Sequence, residues 1–158
     1  MQKQNGFTLI ELVVVIIILG ILAVTAAPKF INLQSDARVS ALQGVKGALQ
    51  GANSLYYSKA AIAGIEKTTA TDGTPPTGTV VEGVKLNFGY IQANKDEIVK
   101  ALEITETDWT FSAVDASDPV AIEISQKDAP TDCKFKYTQA KDATTPPVYG
   151  AVPTADKC

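Results

Sequence analysis

Gly6-Phe7-Thr8-Leu9-Ile10-Glu11, followed by an apolar run at 12–27, decides how this chain is read. A lone carboxylate, Glu11, stands near the start of a stretch that is otherwise membrane-like. A charged side chain inside a bilayer costs about 2.5–3.5 kcal/mol or more, so its presence there points to a function. The leader at 1–6 carries Lys3 and has no apolar core of its own. A secretory signal places its apolar region before the cleavage site and loses it. Here the small residue Gly6 lies on the N-terminal side of the run, so a cut after Gly6 would keep the whole run in the mature protein. Residues 7–27 would form a helix about 32 Å long, enough to cross the hydrocarbon core. Six consecutive β-branched residues, Val13 to Ile18, disfavour helix in water, but in lipid the backbone must satisfy itself and helix is forced.

This stretch resembles the prepilin signature of type IV pilins and their secretion-system relatives. Gly precedes the cut, Phe becomes the new N-terminus, Glu stands four residues on, and a long apolar segment follows. The resemblance implies cleavage between Gly6 and Phe7 by a membrane prepilin peptidase, with N-methylation of Phe7. Residues 7–67 are similar more narrowly to the mannose-sensitive haemagglutinin (MSHA-type) pilins, through Ala26-Ala27-Pro28-Lys29-Phe30 and Leu42-Gln43-Gly44-Val45-Lys46-Gly47-Ala48. The implied fold class is α+β: a long N-terminal helix packed on a small antiparallel head. The implied organisation is a leader at 1–6, a transmembrane and assembly helix at 7–28, and a periplasmic or extracellular head at 29–158. The implied partners are other copies of the chain in a helical homopolymer, the prepilin peptidase, the inner membrane before assembly, and the assembly machinery. The implied location is the inner membrane and then the extracellular pilus of a Gram-negative bacterium, serving surface attachment, biofilm formation and motility. The receptor stays unknown. Two other roles share the same N-terminal pattern: a pseudopilin of a type II secretion system, and a minor or tip adhesin.

Losing the leader removes Lys3 and leaves 13 Lys+Arg against 17 Asp+Glu, moving the formal charge from −3 to −4. That acidity argues against nucleic acid as a main partner, because phosphate binding needs a clustered basic surface. The chain has no histidine, which removes the commonest general base and a favoured zinc ligand. Cys133 and Cys158 are the only cysteines. In an exported chain they read as one disulfide, whose loop of about 26 residues is worth roughly 3.5 kcal/mol in the chain-entropy model.

Pro28 and Gly20 are the weak points of the first helix, since Pro lacks a donor for the preceding turn and Gly has low helix propensity. The resemblance implies that the helix between such a Gly and Pro can melt in an assembled filament. The alternative is a Gly and a Pro simply tolerated in a membrane helix. Beyond Pro28 the pattern turns amphipathic: Leu42, Val45, Leu49, Ala52 and Tyr56 share one face. We expect helix from Phe7 to about Ala63, stopped by Gly64. Gly44, Gly47 and Gly51 suggest close approach by a sheet or a neighbouring helix, or else a hinge. Residues 68–83 read as a loop, with Asp72-Gly73, Pro75-Pro76, Gly78 and Gly83. Residues 84–90 read as a short strand. Asn94 with Glu97 resembles a capping pair ahead of a helix near 95–103. Three period-2 segments, around Trp109-Phe111-Ala113, Val120-Ile122-Ile124 and Cys133-Phe135-Tyr137, read as an antiparallel meander packing on Leu42, Val45 and Leu49. The tail at 141–158 would be loose without the Cys133–Cys158 bond.

The chemistry of the site centres on Glu11. Cleavage would give Phe7 a cationic α-amine, and N-methylation would leave it cationic. Phe7 and Glu11 are four apart and share a helix face, so they can partly neutralise one another within one subunit. In a filament the better geometry sets Glu11 of one subunit against Phe7 of the next, fixing the stagger as a buried polar residue fixes coiled-coil register. The plainer alternative is a glutamate snorkelling to the interface. Asp115 with Asp118, or Asp128 with Asp132, could suggest metal, but neither stretch matches a calcium loop and both read as solvated turns. Lys134-Phe135-Lys136-Tyr137 could touch single-stranded nucleic acid and reads equally as an alternating strand. No nucleophile–base pair and no phosphate loop can be argued, so neither catalysis, a cofactor nor a metal is expected.

Overall fold

The computed structural model describes residues 6–68, 79–114 and 119–158. One helix dominates: α1, Leu9–Ala63, 55 residues long. It starts at Leu9 rather than at Phe7 because Thr8 adopts an extended conformation and caps the first turn. It ends where Gly64 takes φ 69°, a left-handed conformation that lets the amide of Gly64 reach back to the carbonyls of Ala60 and Ala61. The helix runs through both Gly20 and Pro28.

From Leu42 onward one face of α1 is buried. Leu42, Val45, Leu49, Tyr56 and Ala60 join the core, and Ala52 packs against it. The face predicted from spacing is the one the head covers. Asn53, however, lies in the same face and is only 2% exposed, a buried polar residue the apolar periodicity did not single out. Gly44, Gly47 and Gly51 lie on the uncovered side. Nothing stands within 4 Å of a Cβ built at any of the three, so the expected close approach is absent among the described residues.

Among the described residues, the head holds two antiparallel sheets. The first has the order β1-β2-β3, from Val80–Val81, Val84–Asn87 and Tyr90–Ile91. This corrects two expectations. The end of the predicted loop at 68–83 is strand β1, and the predicted strand at 84–90 is broken into β2 and β3. Glu82-Gly83 and Phe88-Gly89 supply the reason: all four have positive φ, as the tight two-residue hairpin turns require. Gly89 has a second reason to be glycine. A Cβ there would fall 2.9 Å from Cδ2 of Tyr57 and 3.3 Å from Cα of Glu66. The Asp72-Gly73, Pro75-Pro76 and Gly78 part of the predicted loop lies outside the described residues, as do Asp115 and Asp118.

Helix α2 spans Lys95–Leu102, close to expectation, but its cap differs. Asn94 accepts from the amide of Asp96 at 2.9 Å. Glu97 does not close a capping box. It turns inward, 3% exposed, accepting from the amide of Lys85 at 2.7 Å and pairing with Lys100 at 3.3 Å. A buried carboxylate is tolerable because it is both hydrogen-bonded and paired, and it sews α2 to β2.

The second sheet has the order β4-β5-β6-β7, from Trp109–Val114, Ala121–Gln126, Lys134–Thr138 and Val148–Tyr149. The three predicted meander strands are there, each paired antiparallel with the next. Ile122 lies opposite Tyr137 and Ile124 opposite Phe135, and all four are buried in one cluster with Leu42, Val45 and Leu49. The other face carries Glu123 and Lys134, paired at 2.8 Å. Strand β7 was not expected. It belongs to a tail that runs back along α1: Tyr149 Oη accepts from Asn53, Gly150 O accepts from Lys46 at 2.8 Å, and Cys158 O accepts from Arg38 at 3.0 Å. The disulfide Cys133–Cys158 is formed, with Cα atoms 4.7 Å apart. Thus the tail is held by the disulfide and also by a polar row on the helix at 38, 46 and 53.

Candidate assembly helix and its single carboxylate

Among the described residues, no other element covers the N-terminal third of α1. Every residue from Phe7 to Val24 is exposed, including Leu9, Ile16, Ile17 and Leu22. Among the described residues, α1 is long and apolar enough to cross a membrane. A contiguous apolar surface of this size marks an interaction site, because water makes it costly to leave bare. The hydroxyl of Thr25, next along the helix, is satisfied by the carbonyls of Ile21 and Leu22 at 3.3 and 3.0 Å, so beyond the first turn the segment presents almost nothing polar to its surroundings.

Glu11 is the exception, and Thr8 holds it. Glu11 Oε2 accepts from the amide of Thr8 at 2.8 Å and from its hydroxyl at 2.6 Å. Thr8 Oγ1 accepts from the amide of Glu11 at 3.3 Å. Together these form a capping box. The Thr-x-x-Glu spacing of Thr8 and Glu11 is the sequence signal for this box. Glu11 therefore does two things locally. It satisfies a free donor of the helix start, and its negative charge complements the positive end of the helix dipole. Only Oε2 is engaged. Oε1 has no hydrogen-bond partner among the described residues and can receive another donor without opening the cap.

Phe7 lies just outside the helix and is 92% exposed. The hydrogen bonds of Glu11 go to Thr8, while Phe7 lines the same surface cleft as Glu11. Gly6 is exposed and nothing stands within 4 Å of a Cβ built on it. Gly20 is likewise open, within unbroken helix. Among the described residues, no group of three or more Asp, Glu or Cys is placed to hold a metal ion.

An apolar helix, bare along its first third, capped around one carboxylate and continuous with an α+β head, is the architecture of the type IV pilin fold. The comparisons carry the same reading. A family model described as the prokaryotic N-terminal methylation motif matches residues 1–27. The chain is 29% identical over 162 residues to the type IV major alpha-pilin of Moraxella bovis, covering 86% of this chain and all of that one. It is 36% identical over 93 residues to the type IV major pilin protein PilE1 of Neisseria gonorrhoeae, covering 57% of this chain and 52% of that one. It is also 40% identical over 55 residues to the type II secretion system core protein G of Pseudomonas aeruginosa, covering 35% of this chain and 39% of that one. Except for the Moraxella pilin, the chain thus spans about half or less of the length of these relatives. No solved structure matches it.

Proposed function

We propose that this chain is the structural subunit of an extracellular type IV pilus, polymerising through the exposed apolar part of α1 and serving surface attachment and biofilm formation. The observation that carries this reading is the pairing of a bare apolar helix with one carboxylate held at its start. Prepilin peptidase would cut between Gly6 and Phe7, and Phe7 would be N-methylated. The inner membrane of a Gram-negative cell would hold the subunit until assembly machinery extracts it. In the filament the apolar side chains bury against neighbouring helices, which supplies the bulk of the cohesion. The amine of Phe7 on one subunit meets Oε1 of Glu11 on the next. A subunit out of register would leave both charges buried and unpaired, at a cost of several kcal/mol. The role is structural rather than catalytic, needs no cofactor or metal, and involves no nucleic acid. Within this class the segments at 26–30 and 42–48 favour an MSHA-type major subunit.

The likeness to core protein G supports a second reading, a pseudopilin that shares the N-terminal helix. One measurement separates the two: the intact mass of the protein in filaments sheared from the native host. A major species starting at N-methylated Phe7 supports the pilus subunit. The processed form staying in the membrane fraction, absent from sheared filaments, supports the pseudopilin.

A further inference from the structure

The four-stranded sheet ends on β4, and the register fixes which backbone groups of β4 face outward. Lys127 N donates to Asp108 O at 2.9 Å, and the pairing continues from Trp109 opposite Gln126 to Val114 opposite Ala121. Hydrogen-bonded and non-hydrogen-bonded pairs alternate along an antiparallel ladder. The pairs 110–125, 112–123 and 114–121 therefore exchange the bonds, and residues 109, 111 and 113 turn their N–H and C=O away from β5. The far side of β5 agrees: Gln139 N donates to Val120 O, so even-numbered residues of β5 serve β6 and odd-numbered ones serve β4. The amide of Trp109 is taken by Glu106 O. Those of Phe111 and Ala113 have no outer partner among the described residues.

Sheets usually guard such an edge with charge, proline, a bulge or brevity. Strand β7 is two residues long and follows Pro146 and Pro147, and β1 is two residues long. Strand β4 has six residues, Trp-Thr-Phe-Ser-Ala-Val, with no charge and no proline. Thr110, Ser112 and Ala113 are exposed. We propose that this edge is a pairing surface for β4 of a second copy of this chain, running antiparallel about a twofold axis through Ser112. In that register Phe111 of each copy pairs with Ala113 of the other. The outward amides and carbonyls of Phe111 and Ala113 are used on each strand, and the amide of Trp109 stays with Glu106. A large side chain faces a small one, Thr110 faces Val114, Ser112 faces its own copy, and no like charges oppose each other. A twofold contact closes on itself, whereas a helical filament grows by head-to-tail contacts. The edge therefore joins subunits of neighbouring filaments side by side, weakly per pair and firmly when repeated along two filaments. That consequence rests on the pilus reading, but the contact itself belongs to the head.

The test uses the full-length chain carrying Ser112→Cys, both in detergent micelles and in sheared filaments, under mild oxidation with a non-reducing gel as readout. At a non-hydrogen-bonded pair the two Cα atoms lie about 4.5 Å apart, within disulfide reach. Thr110 and its copy would be four residues apart along the strands, roughly 13 Å, beyond that reach. The expected result is a covalent dimer with Ser112→Cys, none with Thr110→Cys, and loss of the dimer when Ala113→Pro is added. Proline is tolerated on an edge where its missing N–H faces outward, and a circular dichroism melt checks that the variant folds. If it does not fold, the Ser112→Cys and Thr110→Cys pair decides alone. Equal cross-linking of those two, no dimer in either preparation, or a dimer that persists in a folded Ala113→Pro chain would overturn the proposal. If filaments do not form at all, the pilus reading fails while the detergent experiment still decides the contact.

Discussion

The two ends of α1 are one helix in two environments. Between Leu42 and Ala60 it buries a narrow face against its own head. Between Leu9 and Val24 it buries nothing. The difference follows from side-chain pattern. Apart from Glu11, the stretch at 9–24 is apolar all round, so no single sheet could cover it, and a helix of that kind belongs in lipid or in a bundle of helices. The stretch at 42–60 is apolar on one stripe, which one sheet can cover. The helix thus carries its intramolecular stability at one end and its intermolecular chemistry at the other. Substitutions should separate the two cleanly.

The largest effect is expected at Glu11. The Glu11→Val chain should be cut and held in the membrane yet yield few filaments, because an unpaired buried amine costs about 3–5 kcal/mol. Sheared-filament yield against membrane-fraction content is the measurement, and normal yield would remove the pairing from the account. Next comes the comparison itself. Leu49→Ala, in the fully buried stripe, should destabilise the head by about 2–5 kcal/mol. Ile16→Ala, in the bare stretch, should leave head stability in detergent unchanged. Urea titration of both variants reads this directly.

Asn53 should follow. Its Nδ2 donates to Tyr149 Oη at 2.6 Å and to Tyr137 Oη at 3.2 Å, while its Oδ1 accepts from the amide of Ile91 at 2.8 Å. Burial pushes the hydroxyl pKa of Tyr137 upward, so that group stays a neutral donor, reaching Ile91 O at 2.6 Å. Asn53→Leu strands the Ile91 amide and should cost about 1–3 kcal/mol. Gly89→Ala should cost a similar amount, since it meets both the positive φ and Tyr57. Gly47→Ala, in open helix, should stabilise the head by up to about 1 kcal/mol. Thermal melts of these variants rank them.

The smallest effect concerns pH. Hydrogen bonds from Thr144, then Thr145, hold the Asp142 carboxyl down at about 2. A carboxyl lowered on folding stabilises the folded state above its unfolded pKa of about 3.9, and that contribution is lost as pH falls toward the folded value. Acid titration of stability should show a slope between pH about 4 and 2 that flattens in Asp142→Asn. An unchanged slope would assign the acid sensitivity elsewhere.

Much of this was legible along the chain. A buried helical stripe and three half-buried strands leave periodic marks, so Leu42, Val45, Leu49, Ile122, Ile124, Phe135 and Tyr137 could be named as core beforehand. Thr8 was legible too, from the capping-box spacing, but was passed over. The turns at Glu82-Gly83 and Phe88-Gly89 were hidden because their first residues are not the Asn or Asp that usually announce positive φ. Glu97 was misread because its spacing from Asn94 fits a cap, while the amide that claims it, on Lys85, comes from another element.

What the chain determined by itself is whatever depends on local spacing: the apolar helix, the lone carboxylate at its start, the amphipathic switch after Pro28, and the alternation of β4 to β6. What only the tertiary structure decided is whatever depends on which distant groups meet. Asn53 became the centre of a buried network, Arg38 and Lys46 became anchors for the tail, β7 became a strand, and β4 became the long unguarded edge. Periodicity reports whether a side chain is covered. It carries no information about which partner covers it, because hydrogen bonds between elements link residues with no fixed separation in the chain.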